Sequence, residues 1–523
     1  MRNKIDTPLV IWMIVLILLS SLPVLMGFAA QNDQWRFSGF VMNLDDGNSY
    51  IAKMMQGYQG AWLYQAPYSL EPQNGLLVFL PYILLGKLAA PPALHTQMVV
   101  LFHLYRVFGI IVLVAGIDRF LQLFPLKRGY RYLAIILSTA GGGLGWLILL
   151  FRQSSLAGWL PLEFISPEGF GFISAYTIPH LALARGLLFG ALALFVEGIP
   201  VWEASGKIPR KWLVVSLALL VTGFLQPMNC VIACLWMGVI LLVSFIRNRR
   251  FSPAALKVGW IFLPAVAWIA YILIMSQVDP FLQEWNKQNI VDSPPWQVYL
   301  LSYGLFYLWI IVNFRKLRVA IKSVQDWFCI LWMVSVPFLV YFPVNIQRRL
   351  SEGIWVVIIL LLLRIIQEYR LPLQKIAVAA LVLITIPSTI MLIWMGVRAA
   401  SSLSSPVFVR QDVVDLYLRA GDMSEGGNFL TSFRNGNEIT AWAPVRVTLG
   451  HGPETIHYSK FKNMYDAYIN GSADQSMRYS WLEQYGVRYA IVDLSQIHPL
   501  LDEARYGKQV YLNGNLAIME TVP

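Results

Sequence analysis

The chain has 523 residues, 57% of them hydrophobic and 13% charged, where a soluble globular chain carries about 25% charged residues. With a mean hydropathy of +0.57, a single soluble domain is excluded. The net charge of +11 does not point to nucleic acid, because most of the basic residues fall in short loops between apolar runs, as in the cytoplasmic loops of membrane proteins.

In chain order, Arg2 and Lys4 precede an apolar stretch at 9–30. It exceeds the roughly 7–15 residues of a signal-peptide core and reads as a retained signal-anchor helix. Further spans of the ~20 residues that cross a bilayer are expected near 98–117, 131–151, 178–197, 211–227, 229–246, 258–276, 297–314, 326–343, 351–367 and 375–397, about eleven crossings in all. The run 76–90 holds Pro81, Gly86 and Lys87 and ends at Pro91-Pro92. As a helix it reaches only about 22 Å, so it is expected to lie at the interface or re-enter. Charge supports that choice. If 76–90 does not cross and the N-terminus is cytoplasmic, the cytoplasmic loops hold Arg119, Lys127, Arg128, Arg131, Lys207, Arg210, Lys211, Arg247, Arg249, Arg250, Lys257, Arg315, Lys316, Arg318, Lys322, Arg370 and Lys375. The outer loops then hold Asp33, Asp45, Asp46, Glu71, Glu163, Glu168, Asp279, Glu284 and Asp292. The expected fold is a polytopic α-helical membrane domain, 1–399, with a long outer loop at 31–97. Its run Gly141-Gly142-Gly143-Leu144-Gly145 marks either a break in a span or close helix packing.

From residue 400 onward the composition is that of an ordinary soluble domain. Helices are expected at 412–420, 460–469 and 476–485, strands at 428–433, within 443–450 and at 487–493, and a hairpin around Asn513-Gly514-Asn515. Segment 400–523 therefore reads as a small extracytoplasmic α/β domain. Its loop Gly450-His451-Gly452-Pro453-Glu454-Thr455 is either a structural turn or, through His451 or Glu454, an acceptor contact. Cys230, Cys234 and Cys329 all lie in apolar runs and read as buried small hydrophobes.

The first outer loop contains Asn43-Leu44-Asp45-Asp46-Gly47-Asn48-Ser49-Tyr50, followed by Gly57-Tyr58-Gln59-Gly60, Pro81-Tyr82 and Gly86-Lys87, with Tyr105-Arg106-Val107-Phe108-Gly109 in the next span. This arrangement resembles the GT-C superfamily of membrane glycosyltransferases, of the protein O-mannosyltransferase and lipid A aminoarabinose transferase type. The chain has Asp-Asp where the O-mannosyltransferases have Asp-Glu. The resemblance implies transfer of a sugar from a polyprenyl-phosphate donor to a glycan, lipid or protein acceptor at the outer face, with a carboxylate of this loop as base or positioning group. Asp45, the leading acid, is the first choice and Asp46 the second. On the bland reading, one of them caps a helix starting near Asn48. A leaving phosphate needs cationic stabilisation. Arg348-Arg349 in an outer turn depart from the positive-inside pattern and suit phosphate, or pair with Glu352. Arg106 and Arg185 inside apolar spans, and His180 at a span mouth, are further phosphate candidates, against internal ion pairing. Glu163 and Glu168 are the candidate acids of the second long outer loop. A divalent cation, if one acts, would be held by Asp45, Asp46 and Glu168. The resemblance suits a prokaryotic plasma membrane. The competing reading is a transporter or flippase of a lipid-linked or small anionic substrate.

Overall fold

The computed structural model describes residues 6–248, 253–424, 427–470, 472, 474–495 and 507–521. Arg2, Lys4, Arg249 and Arg250, used above in the charge argument, lie outside the described residues. The chain divides into two compact units. One comprises 1–22, 104–272 and 291–395; the other comprises 23–103, 273–290 and 396–523.

The first unit is helical. By length and composition, seven helices of the chain can cross a membrane among the described residues, or eight if the pair Trp296–Val312 and Phe314–Ala320, bent by 73°, forms one span. The expected spans at 211–227 and 326–343 fall on the shorter helices Lys211–Leu225 and Val324–Leu339. The expected span at 131–151 is interrupted. Helix Arg128–Ala140 stops at Gly141, whose backbone is extended, and a short helix resumes at Trp146–Leu150. Each glycine costs a helix about 1 kcal/mol relative to alanine, and here the glycines also admit a neighbour: a Cβ on Gly143 would lie 2.5 Å from the Ser302 carbonyl oxygen. Backbone donors freed by the break find partners within the unit. Gly142 N donates to Thr385 O at 2.8 Å, Leu144 N to Leu301 O at 3.4 Å, and Gly145 N to Glu163 Oε1 at 2.5 Å. Irregular backbone persists at membrane depth only with such partners.

The second unit carries every strand among the described residues. A two-stranded ribbon joins β1 (Trp35–Phe37) antiparallel to β2 (Phe408–Arg410), with Phe37 opposite Phe408. A five-stranded sheet is ordered β4-β3-β5-β7-β6. Its β3 (Asn428–Leu430) runs parallel to both β4 (Arg446–Val447) and β5 (Val487–Asp493), while β7 (Leu516–Glu520) lies antiparallel to β5 and β6 (Lys508–Asn513). The β6–β7 turn uses Gly514 at φ +58°. Helices Gln411–Met423, Tyr458–Asn470 and Gln475–Gln484 fall where the pattern places them. Helix Phe433–Trp442 was not expected. Its sequence, with Asn435, Gly436 and Asn437, is poor in helix formers, but Ser432 caps it by accepting from Asn435 N at 3.2 Å.

The first-loop helix, Leu44–Tyr58, packs on helix Phe433–Trp442. Asn48 donates to Asn437 Oδ1 at 2.8 Å, and Ala52 and Tyr68 join Leu416, Tyr417, Phe429, Ile439 and Ile491 in one core. The run 76–90 forms only the helix Leu80–Gly86, about 10 Å long. It lies hard against the first-loop helix: a Cβ on Gly57 would sit 1.9 Å from Ile83 O, and one on Gly86 1.8 Å from Met54 O.

Candidate functional site

Asp45 and Asp46 occupy the first turn of the first-loop helix, which starts at Leu44 rather than near Asn48. Neither caps it by a side-chain hydrogen bond, and its N-cap is Asn43 with left-handed backbone at φ 53°. Two negative charges in a first turn are favoured by the helix dipole, at about 0.3–1 kcal/mol each. The turn is therefore a tolerant place for carboxylates that are not consumed as caps. Asp45 is exposed. Partial burial raises its carboxyl above the ordinary aspartate value, His451 opposes that shift, and the neighbouring Asp46 adds to it. Its main-chain oxygen accepts from Asn437 Nδ2 at 3.1 Å, which fixes the turn.

Asp46 is tied to His451: Nε2 of the ring lies 3.2 Å from Asp46 Oδ1. The histidine comes from the loop after β4, which folds on itself as Gly450 N and His451 N both donate to Thr455 Oγ1 at 3.2 Å. Gln288 braces the loop from outside, donating to Thr455 O at 3.0 Å. On the far side of the ring, Nδ1 stands 3.6 Å from Glu454 Oε1. Glu454 is buried and both its oxygens are engaged, Oε1 by Lys53 Nζ at 2.7 Å and Oε2 by the Tyr64 hydroxyl at 2.6 Å. Burial alone would raise this carboxyl, but Lys53, His451 and Tyr64 together hold it below the ordinary glutamate value. Lys53 is fully buried, also donates to Ser49 Oγ at 3.2 Å, and sits 4.5 Å from the Phe79 ring centroid. The same unit thus contains a chain of groups, Asp46, His451, Glu454 and Lys53, that locks the acid-bearing helix to the loop after β4. Nearby, Glu438 is buried, which raises its carboxyl despite the ion pair with Arg434 at 3.1 Å.

The remaining candidates lie in the helical unit. Arg185 is buried with its donors spent internally: Nε on Glu352 Oε1 at 2.5 Å, Nη1 on Phe170 O at 3.0 Å, and Nη2 on Glu168 O at 2.6 Å and on Pro167 O. Arg106 donates to Ser20 Oγ and Ser21 Oγ, both at 2.8 Å, and to Ala175 O at 3.2 Å. Glu163 is buried, which raises its carboxyl; besides Gly145 N it accepts from Ser302 Oγ at 2.7 Å, closing the glycine break. Arg348 and Arg349 stand on the 3-10 turn Gln347–Ser351, half-buried. Arg349 Nε is 3.5 Å from Glu168 Oε1, and Arg348 Nε is buried without a hydrogen-bond partner. His180 is the second residue of helix Pro179–Ser205 and is half-buried. Among the described residues no group of three or more His, Cys, Asp and Glu side chains is arranged to hold a metal ion.

No family model matches the chain, and no curated protein matches it. Solved structures do match. The arabinofuranosyltransferase AftD from Mycobacteria is 14% identical with a TM-score of 0.52, over 92% of this chain and 35% of its own. The apo oligosaccharyltransferase of Archaeoglobus fulgidus is 11% identical with a TM-score of 0.52, over 92% and 69%. ArnT from Cupriavidus metallidurans, solved with undecaprenyl phosphate, is 10% identical with a TM-score of 0.50, over 97% of both chains. The chain shares the fold of these three proteins. It spans about a third of AftD's length and nearly all of ArnT's.

Asp45, Asp46, His451 and Glu454, all singled out in the sequence, are gathered in one unit by the structure. Sequence reasoning missed Lys53, Tyr64 and Asn437. A lone lysine at the centre of a helix that is otherwise buried was the available signal, since a buried lysine needs a partner.

Proposed function

We propose that this protein is a glycosyltransferase that moves a sugar from a polyprenyl-phosphate donor to an acceptor, with the strand-bearing unit on the extracytoplasmic side of the membrane. One observation carries the reading: Asp45 stands exposed on a helix turn braced by Asn437 and flanked by an Asp46–His451 pair. The solved structure of ArnT with undecaprenyl phosphate supplies the donor class.

In this reading Asp45 takes the proton of the acceptor hydroxyl as its oxygen bonds to the anomeric carbon. The bond from that carbon to the lipid-phosphate oxygen breaks, and the phosphate leaves with the electron pair. Asp46 and His451 hold the turn and set the charge around Asp45. Arg348 and Arg349, in the helical unit, are proposed on their chemistry alone as residues that bind the donor phosphate. Arg185 and Glu163, whose polar atoms are already engaged, are assigned to holding the loop 163–170 and the break at 141–145. The chemistry as written uses no metal.

A transporter is the second reading, and the interrupted helix at 141–145 favours it. The break's donors are met by Thr385, Leu301 and Glu163, which leaves little for a transported solute to bind there. The test is transfer of radiolabel from polyprenyl-phosphate sugars by the full chain in detergent, with a membrane extract as acceptor source. Loss of transfer in Asp45→Asn with the melting temperature kept supports the enzyme. Label leaving the lipid equally fast in wild type, Asp45→Asn and Asp46→Asn sinks it, and substrate uptake into vesicles surviving Asp45→Asn would favour transport.

A further inference from the structure

His451, which meets the acid-bearing turn, stands in a loop that helix Pro280–Gln288 also grips. This helix is well fixed within the strand-bearing unit. Asp279 is buried and caps it, accepting from Leu282 N at 3.0 Å, while its other oxygen accepts from Asn74 Nδ2 at 3.0 Å. Phe281 and Leu282 share a core with Tyr64, Ile83 and Ile456, the last of these in the His451 loop.

The polar part of the grip comes from one side chain. Gln288 Nε2 donates to Thr455 O at 3.0 Å and, more weakly, to Pro453 O at 3.5 Å, while its Oε1 accepts from His457 N at 3.2 Å. A primary amide presents donors and an acceptor on one planar group, so it can meet two carbonyls and an N–H of a single turn together. His457 needs such a hold. Its φ is +57°, a left-handed conformation that is costly for any residue but glycine and persists only where the surroundings fix it. The residue is exposed, so burial of its ring does not do so. Thr455 is held twice. Gln288 takes its main-chain oxygen, and its hydroxyl accepts from Gly450 N and His451 N at 3.2 Å each. Only Thr455 therefore stands between the Gln288 amide and the backbone of His451.

We propose that Gln288 is a positioning residue: by holding the backbone of Thr455 and His457 it keeps the His451 ring against Asp46, and so fixes the charge around Asp45. Its effect on transfer rests on the sugar-transfer reading; its effect on His451 does not.

The experiment compares Gln288→Met, Gln288→Glu and Lys287→Gln in the full chain in detergent. Gln288→Met keeps the length of the side chain and removes its polar contacts. Gln288→Glu keeps the acceptor for His457 N but sets a carboxylate against the Thr455 and Pro453 carbonyls, and covers the case in which Gln288→Met does not fold. Lys287, paired with Glu284 on its own helix, is the control. The first readout is the rate at which diethyl pyrocarbonate modifies His451, located by peptide fragmentation. His451 is 8% exposed, so modification waits on the loop opening. Loss of one hydrogen bond of ordinary worth shifts such an opening about fivefold, and both Gln288 variants should react at least that much faster. The second readout is the pH profile of transfer. Asp46, His451 and Glu438 are the charged groups whose influence is shared with Asp45. Displacing His451 removes the influence that opposes the rise at Asp45. The acid limb of kcat/KM should therefore move up in pH in both variants, and Gln288→Met should add nothing in a His451→Gln background. Lys287→Gln should change neither readout. Modification at the wild-type rate in both Gln288 variants overturns the proposal, whether or not the melting temperature falls, and so does faster modification with an unmoved acid limb. Absence of transfer by the wild type overturns the sugar-transfer reading alone, and the modification rates then still decide whether Gln288 holds His451.

Discussion

The ion pair between Lys53 and Glu454 offers the sharpest energetic test. The two charges are 2.7 Å apart with side-chain exposures of 0% and 5%. At an effective dielectric of 20, their attraction is about 6 kcal/mol, set against a desolvation penalty of several kcal/mol per ion. The intact pair is thus close to neutral, whereas losing either member strands a buried charge at about 3–5 kcal/mol. Lys53→Met, Glu454→Gln and the double variant can be compared by urea-dependent pulse proteolysis of the full chain in detergent. Each single variant should lose about 3–5 kcal/mol. The double variant should lose less than either single one, because the intact pair is close to neutral and no charge is left stranded when both members go. Because the folded Glu454 carboxyl lies below its ordinary value, its contribution is complete above an unfolded value near 4.3. It fades as pH drops through the folded value, and Glu454→Gln should erase that acid-side dependence. Single losses under 1 kcal/mol, or strictly additive ones, would refute the reasoning.

Other outcomes follow from the same geometry. Asp45→Asn should lower transfer by about 10²–10⁴-fold at unchanged melting temperature. The acid limb of kcat/KM should move down in pH in Asp46→Asn, which removes the like charge raising Asp45, and up in His451→Gln, which removes the opposing influence; a limb unmoved in both variants separates Asp45 from catalysis. Arg348→Ala should weaken donor binding by about 1.5–3 kcal/mol, the worth of a hydrogen bond to a charged group, read by competition with a labelled polyprenyl phosphate. Arg185→Gln should instead destabilise the chain by about 3–5 kcal/mol by stranding Glu352, read by the proteolysis assay. Gly86→Ala should cost about 1–3 kcal/mol by overpacking against Met54 O, and a neutral result would show that the short helix can shift away.

Much of the membrane character was legible because hydrocarbon imposes long uncharged runs, and the acid pair stood out by its place just after the first of them. The failures have physical causes. Hydropathy registers composition and not hydrogen bonding, so 131–151 read as one span although its glycines end the helix at Ala140. Helix Phe433–Trp442 was invisible because its stability comes from packing and the Ser432 cap, which outweigh weak propensity. Residues far apart in sequence carry no mutual signal in a single chain. Nothing in residues 44–58 foretells that Asn48 meets Asn437, or that Lys53 meets Glu454. His451 drew notice only as part of a glycine-rich turn, and its link to Asp46 emerged from the fold.

The bond between Asn48 and Asn437 joins positions 389 residues apart. At a synthesis rate of about 5–20 residues per second, the first-loop helix waits roughly 20–80 s before its partners leave the ribosome. Throughout that interval Lys53 has no Glu454 and the acid-bearing turn has no Asn437 beneath it. The helix that bears Asp45 is therefore among the first parts of the strand-bearing unit to be made and among the last to be finished, and a chain interrupted before residue 437 displays its two aspartates with neither Asn437 nor His451 to hold their turn.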